Sequence, residues 1–112
     1  MSEAQMTPDQ IVEAMPGFLI PEKAGSTQGI IAFDLGGEGG GKWWLKIHDG
    51  KAESGKGEPP EAPKVTLAAN VEDWVKIMSG KMDPVSSYMT GKLKINGDIG
   101  LAMKMQTMFR RP

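Results

Sequence analysis

Cysteine is absent from this 112-residue chain, which excludes a disulfide framework, a thiolate nucleophile and a cysteine-based zinc site. A reducing compartment agrees with that absence. A surplus of either charge is also missing, with 13 Lys+Arg against 14 Asp+Glu and a formal net charge of −1. Nucleic-acid affinity draws mainly on a basic surplus that neutralises phosphates, so nucleic acid is not an expected partner. No apolar run approaches the roughly 18–20 residues that cross a bilayer. The opening MSEAQMTPDQ is polar and acidic and lacks the apolar segment of a secretory leader, which makes the cytoplasm the expected location. Histidine occurs once. Soft metals want His or Cys and hard cations want several oxygen ligands at a recognisable spacing, so neither a metal nor a cofactor is expected.

What remains is an ordinary globular composition, 39% hydrophobic and 24% charged. It is far from the profile of disorder. The length fits a single domain, expected over residues 1–112 with its core at about 8–109. A domain this small that kept a large internal cavity would lose a noticeable share of its packing, and such a loss needs a functional reason.

Thr7, Pro8 and Gln10 form a helix start in which a Thr cap accepts from an early backbone N–H and Gln reaches back. Ile11, Val12 and Met15 then share a face, and Pro16-Gly17 ends the helix. From Gly29 the period changes to two. Ile31, Phe33 and Leu35 fall on one face of a strand, opposite Ile30, Ala32 and Asp34. Beyond the glycine-rich Gly36–Gly41, Trp43, Leu45 and Ile47 alternate with Trp44, Lys46 and His48 in a second strand. Asp49-Gly50 suits a type I′ turn into a third strand, Lys51–Lys56.

Gly57–Pro63 reads as a surface loop, and Val65, Leu67 and Ala69 mark a fourth strand. Asn70 is placed to cap a helix carrying Val71, Trp74, Val75 and Met78 at i, i+3, i+4 and i+7, with Gly80 as its left-handed stop. Asp83-Pro84 starts a shorter helix with Val85, Tyr88 and Met89 on one face, closed by Gly91. Leu93 and Ile95 alternate in a last strand. Asp98 caps a final helix carrying Leu101, Ala102, Met105, Met108 and Phe109 along one side. Each strand has one apolar face, which predicts an α+β fold with a single sheet covered by helices on one side.

Two motifs have chemistry attached. Gly36 to Lys42, GGEGGGK, satisfies part of a phosphate-binding loop, but Trp43 stands where Ser or Thr should reach magnesium, and a strand follows where a helix is required. A hairpin loop is the expected reading. His48 beside Asp49 suggests an acid–base pair, but no nucleophile signature accompanies it, and a solvent-facing strand histidine is expected instead. Asp34, Glu72, Asp73, Asp83 and Asp98 occupy surface, cap or first-turn positions that need no catalytic role. Six of the nine methionines, Met78, Met82, Met89, Met103, Met105 and Met108, lie in the last third of the chain. Methionine either fills a core or lines a surface that adapts to apolar partners, and periodicity alone does not separate the two.

The stretch MSGKMDPVSSYMTGKLKINGDIGLAMKM, Met78 to Met105, resembles the C-terminal signature of the sterol carrier protein 2 family of non-specific lipid-transfer proteins. G-K-M-D-P, G-K-L-K-I-N-G-D and G-L-A-M-K stand in the family's order and spacing. Gly29-Ile30-Ile31-Ala32-Phe33 and the segment from Trp43 through Gly50-Lys51 resemble its first hairpin, so the likeness extends over about Ile11 to Met108. It implies a five-stranded sheet covered by helices, with an apolar tunnel between the two. The residues that combine family position with inward periodicity are Phe33, Leu45, Trp74, Met78, Met82, Met89, Leu93, Ile95, Leu101, Met105 and Met108. The implied partner is a lipid: a sterol, fatty acid, fatty acyl-CoA or phospholipid, held without covalent chemistry, with transient membrane contact. The ending Arg110-Arg111-Pro112 lacks the tripeptide that directs some animal members to peroxisomes, so that address is not expected.

The resemblance implies a binding module and not an enzyme. A small acyl-thioester enzyme is the rival from another class, and it lacks a nucleophile–base signature. An accessory domain that presents lipid to a partner enzyme is the second alternative, since the family also occurs fused to larger enzymes.

Overall fold

Thr7 and Gln10 open the first helix as the sequence predicts. In the computed structural model, which describes residues 7–109, Gln10 N–H donates to Thr7 Oγ1 at 3.2 Å and Thr7 N–H donates to Gln10 Oε1 at 2.9 Å. Two backbone donors are satisfied reciprocally, and Pro8 takes the first helical position, where no donor is missed. Helix α1, Pro8–Ala14, passes directly into a 3-10 turn, Met15–Phe18. The polar residues 1–6 and the Arg110-Arg111-Pro112 ending lie outside the described residues.

Strands β1 (Gly29–Gly36), β2 (Gly41–His48) and β3 (Lys51–Lys56) form an antiparallel meander. The glycine-rich motif is the β1–β2 hairpin connection. Asp49 and Gly50 have φ of 52° and 74°, the left-handed pair a type I′ turn requires. Strand β4 (Val65–Asn70) then returns to lie parallel to β1, and β5 (Leu93–Gly97) pairs antiparallel with β4. The result is one mixed five-stranded sheet in the order β3-β2-β1-β4-β5, with β1 at its centre. On the outer face Trp44 lies against Gly55, where a Cβ would come within 2.5 Å of the indole ring. Glycine there makes room for the tryptophan.

Helix α2 (Pro21–Ala24) precedes the sheet, and helices α3 (Val71–Met78), α4 (Pro84–Met89) and α5 (Ile99–Met108) supply the remaining elements. Gly80, with φ of 83°, ends α3 through a Lys81 N–H to Lys76 carbonyl bond of 2.8 Å and a Gly80 N–H to Ile77 carbonyl bond of 3.1 Å. Asp83 and Asp98 cap the next two helices, accepting from Ser86 N–H at 2.8 Å and Leu101 N–H at 3.0 Å. One apolar cluster joins the inner sheet residues to Ile11, Val12 and Met15 from the first helical segment, Trp74, Val75 and Ile77 from α3, and Leu101, Ala102, Met105 and Met108 from α5. An α+β sheet covered by helices is the observed architecture.

Four details depart from the sequence expectation. A one-turn helix, α2, covers Pro21–Ala24, too short to show a period. Asn70 has cap geometry at the start of α3, but its side chain makes no capping bond. Phe109 does not continue the apolar side of α5; it is extended and bridges to Leu19. The inner face of α4 is also turned. Val85, Tyr88 and Met89 are 47%, 38% and 79% exposed, while Pro84 and Ser87 are buried. Ser87 tolerates burial because its hydroxyl donates to the Asp83 carbonyl at 2.8 Å.

Candidate functional site

Three rows of residues cross the inner face of the sheet. Leu45 and Ile31 lead to Val65 in one row, Trp43 and Phe33 lead through Leu67 to Ile95 in the next, and Leu35 leads through Ala69 to Leu93 in the third. Alternation along each strand aims these side chains at one side, and register stacks them. Trp74 of α3 meets Phe33 edge-on, with ring centroids 5.4 Å apart and planes inclined at 61°. Its side chain joins the middle row to the helical layer.

Of the residues the sequence nominates, Phe33, Leu45, Trp74, Leu93, Leu101, Met105 and Met108 are buried in one cluster. Met78, Met82 and Ile95 are half-buried and pack against it. Met89 stands apart, exposed on α4. Its inward assignment is corrected by the rotation of that helix, which turns Pro84 and Ser87 toward the protein instead. The α5 stripe of Leu101, Met105 and Met108 does face inward, because i, i+4 and i+7 share a helix face.

Sequence reasoning missed how the other end of the face is closed. The Trp43 indole N–H donates to Asp9 Oδ1 at 2.7 Å, and Lys56 Nζ lies 3.5 Å from the same oxygen and 5.6 Å from the Trp43 ring centroid. Asp9 is in the first turn of α1, where the helix dipole also favours an acid. Alternation signals an inward Trp43, but nothing local signals its partner 34 residues away.

The cluster is apolar throughout, and Ser87 is the buried polar side chain among the described residues. The Ser87 hydroxyl is occupied by a carbonyl and has no adjacent base bonded to it. Trp74 Nε1 is shielded from solvent and has no hydrogen-bond partner. His48 sits on the outer face, with Nε2 2.9 Å from Glu53 and Nδ1 3.7 Å from Asp49. The turn conformation of Asp49 brings its carboxylate near the ring, which simple strand alternation does not anticipate. Lys42 pairs with Glu58 at 3.1 Å in solvent. The hydrogen bond and charge of Glu58, with the charge of Asp34, hold the Lys42 ammonium above the ordinary lysine range. No group of three or more His, Cys, Asp or Glu residues suited to a metal occurs among the described residues. No helix among them is long and apolar enough to cross a membrane.

Comparison with known proteins agrees with this architecture. Hydroxysteroid dehydrogenase-like protein 2 of Danio rerio is 38% identical over 99 residues, covering 88% of this chain and 24% of that protein. The chain therefore spans about a quarter of the length of that curated relative. The solution structure of the sterol carrier protein domain 2 of Helicoverpa armigera superposes with a TM-score of 0.65 at 28% identity, covering 94% of this chain and 91% of that one. The solution structure of palmitated SCP2L2 from Aedes aegypti superposes with a TM-score of 0.69 at 21% identity, covering 95% and 97%. The profile of the SCP-2 sterol transfer family matches residues 19–110, and on that match, with the sheet order and helical cover described above, the chain belongs to the SCP-2 sterol transfer family.

Proposed function

We propose that the chain binds lipid reversibly in the apolar seam between the inner sheet face and helices α3 and α5. The carrying observation is that this seam joins Phe33, Leu93, Trp74 and Met105 in one cluster whose members are all apolar, bordered by the half-buried Met78 and Met82. A lipid enters by displacing flexible methionine side chains, its hydrocarbon leaves water, and its charged head stays outside. Each buried methylene contributes about 0.8 kcal/mol, so a sixteen-carbon chain gains on the order of 13 kcal/mol before association costs of roughly 4–15 kcal/mol. Micromolar binding of fatty acids, fatty acyl-CoA, phospholipids or sterols fits that range. Burial is non-directional, and broad ligand choice follows from it.

A second reading concerns where the lipid goes. The relative from Danio rerio is about four times longer and carries a dehydrogenase-like name, which favours a module that presents lipid to an enzyme in the same or a partner chain. Solvent extraction of the purified protein followed by mass spectrometry, with transfer of a labelled fatty acid between vesicles, tests the carrier reading. Co-purified lipid and accelerated transfer are expected. A protein that neither retains lipid nor speeds transfer would overturn it.

A further inference from the structure

We infer that the Trp74 indole N–H anchors the bound lipid by donating to a neutral oxygen, a carbonyl or hydroxyl, carried on an otherwise apolar ligand. The inference rests on the carrier reading above and adds a ligand class and an orientation to it.

Trp74 is 1% exposed, and its Nε1 is a buried donor without a partner. Trp43, buried in the same cluster, shows the ordinary solution, an N–H donating to a carboxylate at 2.7 Å. An unmet buried donor is costly and rare, so it calls for an acceptor that arrives with something else. A single water serves poorly, because buried waters are held by about three hydrogen bonds and the side chains of this cluster are apolar. The Phe33 ring, edge-related at 5.4 Å, is at best a weak acceptor. A ligand oxygen supplies the missing bond.

The charge of that oxygen is also constrained. No lysine, arginine or histidine is buried among the described residues, and an ionised carboxylate taken into such a seam would lose its hydration without a counter-ion. A ketone or hydroxyl carries no such penalty. The donor sits on α3 against the middle row of the sheet, so a ligand held there inserts a neutral polar group into the seam. A fatty acid instead leaves its carboxylate outside and puts only hydrocarbon beside Trp74. The two classes are thereby distinguished by one N–H.

The test compares methyl pentadecyl ketone with heptadecane, equal in carbon number, each delivered on methyl-β-cyclodextrin, with palmitate as a third ligand. In the parent protein the Nε1 proton of Trp74 should move downfield in nitrogen–proton correlation spectra with the ketone, and stay in place with heptadecane and with palmitate. In Trp74→Phe the preference for ketone over heptadecane, read as the ratio of the two affinities, should fall by about 3–10-fold, the range of one ordinary hydrogen bond, and a ratio that stays at the parent value overturns the inference. The spectrum of the parent keeps the inference testable if Trp74→Phe does not fold. Ketone binding that leaves the indole proton unmoved, or an equal downfield shift with palmitate, overturns the inference alone. If none of the three ligands binds, the carrier reading falls and this one falls with it.

Discussion

Over β2 and β3 the sheet is closed by α1 through a directional polar latch, whereas over β4 and β5 it is closed by α3 and α5 through apolar side chains. In the first half, Asp9 accepts from the Trp43 indole at 2.7 Å and faces Lys56 at 3.5 Å. A hydrogen bond of that kind has one good geometry, and it holds α1 in place. In the second half, Leu101, Met105 and Met108 meet Leu67 and Leu93 in the apolar cluster. Dispersion and hydrophobic burial have no preferred angle, and methionine repacks at little cost. One sheet thus carries a wall held by a directional contact and a wall of apolar side chains, and the proposed lipid seam makes the second its adaptable wall.

Phe33 stands where the halves meet and touches Trp74, so Phe33→Ala should have the largest effect, a loss of about 3–5 kcal/mol in denaturant unfolding. A loss below about 1 kcal/mol would mean that the halves do not share a core. Asp9→Ala should cost about 1–2 kcal/mol, because it removes the carboxylate acceptor of the part-buried Trp43 N–H. Fatty-acid affinity should stay within a few-fold in that variant, measured by titration. A collapse of binding would move the site toward the latch.

Met105→Trp sharpens the comparison from the other side. If the α5 wall yields, the larger ring should cost less than about 1 kcal/mol in unfolding of the ligand-free protein, while long-chain affinity drops by about tenfold or more. An ordinary close-packed position would lose about 1–3 kcal/mol. A strongly destabilised variant that still binds like the parent would contradict the adaptable wall. Lys42→Ala, on the far side of the hairpin, should have the smallest effect and leave lipid affinity unchanged. The Glu58 contact raises the Lys42 pKa, so its contribution to stability is complete below the ordinary lysine pKa and disappears only as pH rises through the folded value. Nucleotide binding lost in this variant would restore a phosphate-loop reading of the glycine-rich segment.

Signals that act over three or four residues were legible in the sequence. The Thr7–Gln10 capping box, the Asp83 and Asp98 caps and the Asp49-Gly50 turn all follow from local hydrogen bonding or from positive φ. Period-two alternation likewise identified Phe33, Leu45, Leu93 and Ile95 as one face. The existence of α2 and the facing of α4 were not legible, because both helices are too brief for hydrophobicity to set a phase. In α4 the apolar Val85, Tyr88 and Met89 mislead, and Ser87 is inside because a carbonyl one turn away satisfies its hydroxyl. The pairing of β1 with β4, the latch to Asp9 and the Leu19–Phe109 bridge join distant segments, and no local pattern encodes them.

The central position of β1 also bears on the order in which the molecule assembles. Its antiparallel side closes through the five-glycine hairpin region Gly36–Gly41, so the β1–β2–β3 meander forms from near neighbours, while its parallel side waits for Val65 to find Ile31 across the whole of that meander. Loop closure makes the second step slower, because entropy is lost before any contact rewards it. The segment from β4 through α5 therefore docks late and, by microscopic reversibility, is the part released first in partial opening. Amide hydrogens of β5 and α5 should exchange before those of β1 and β2.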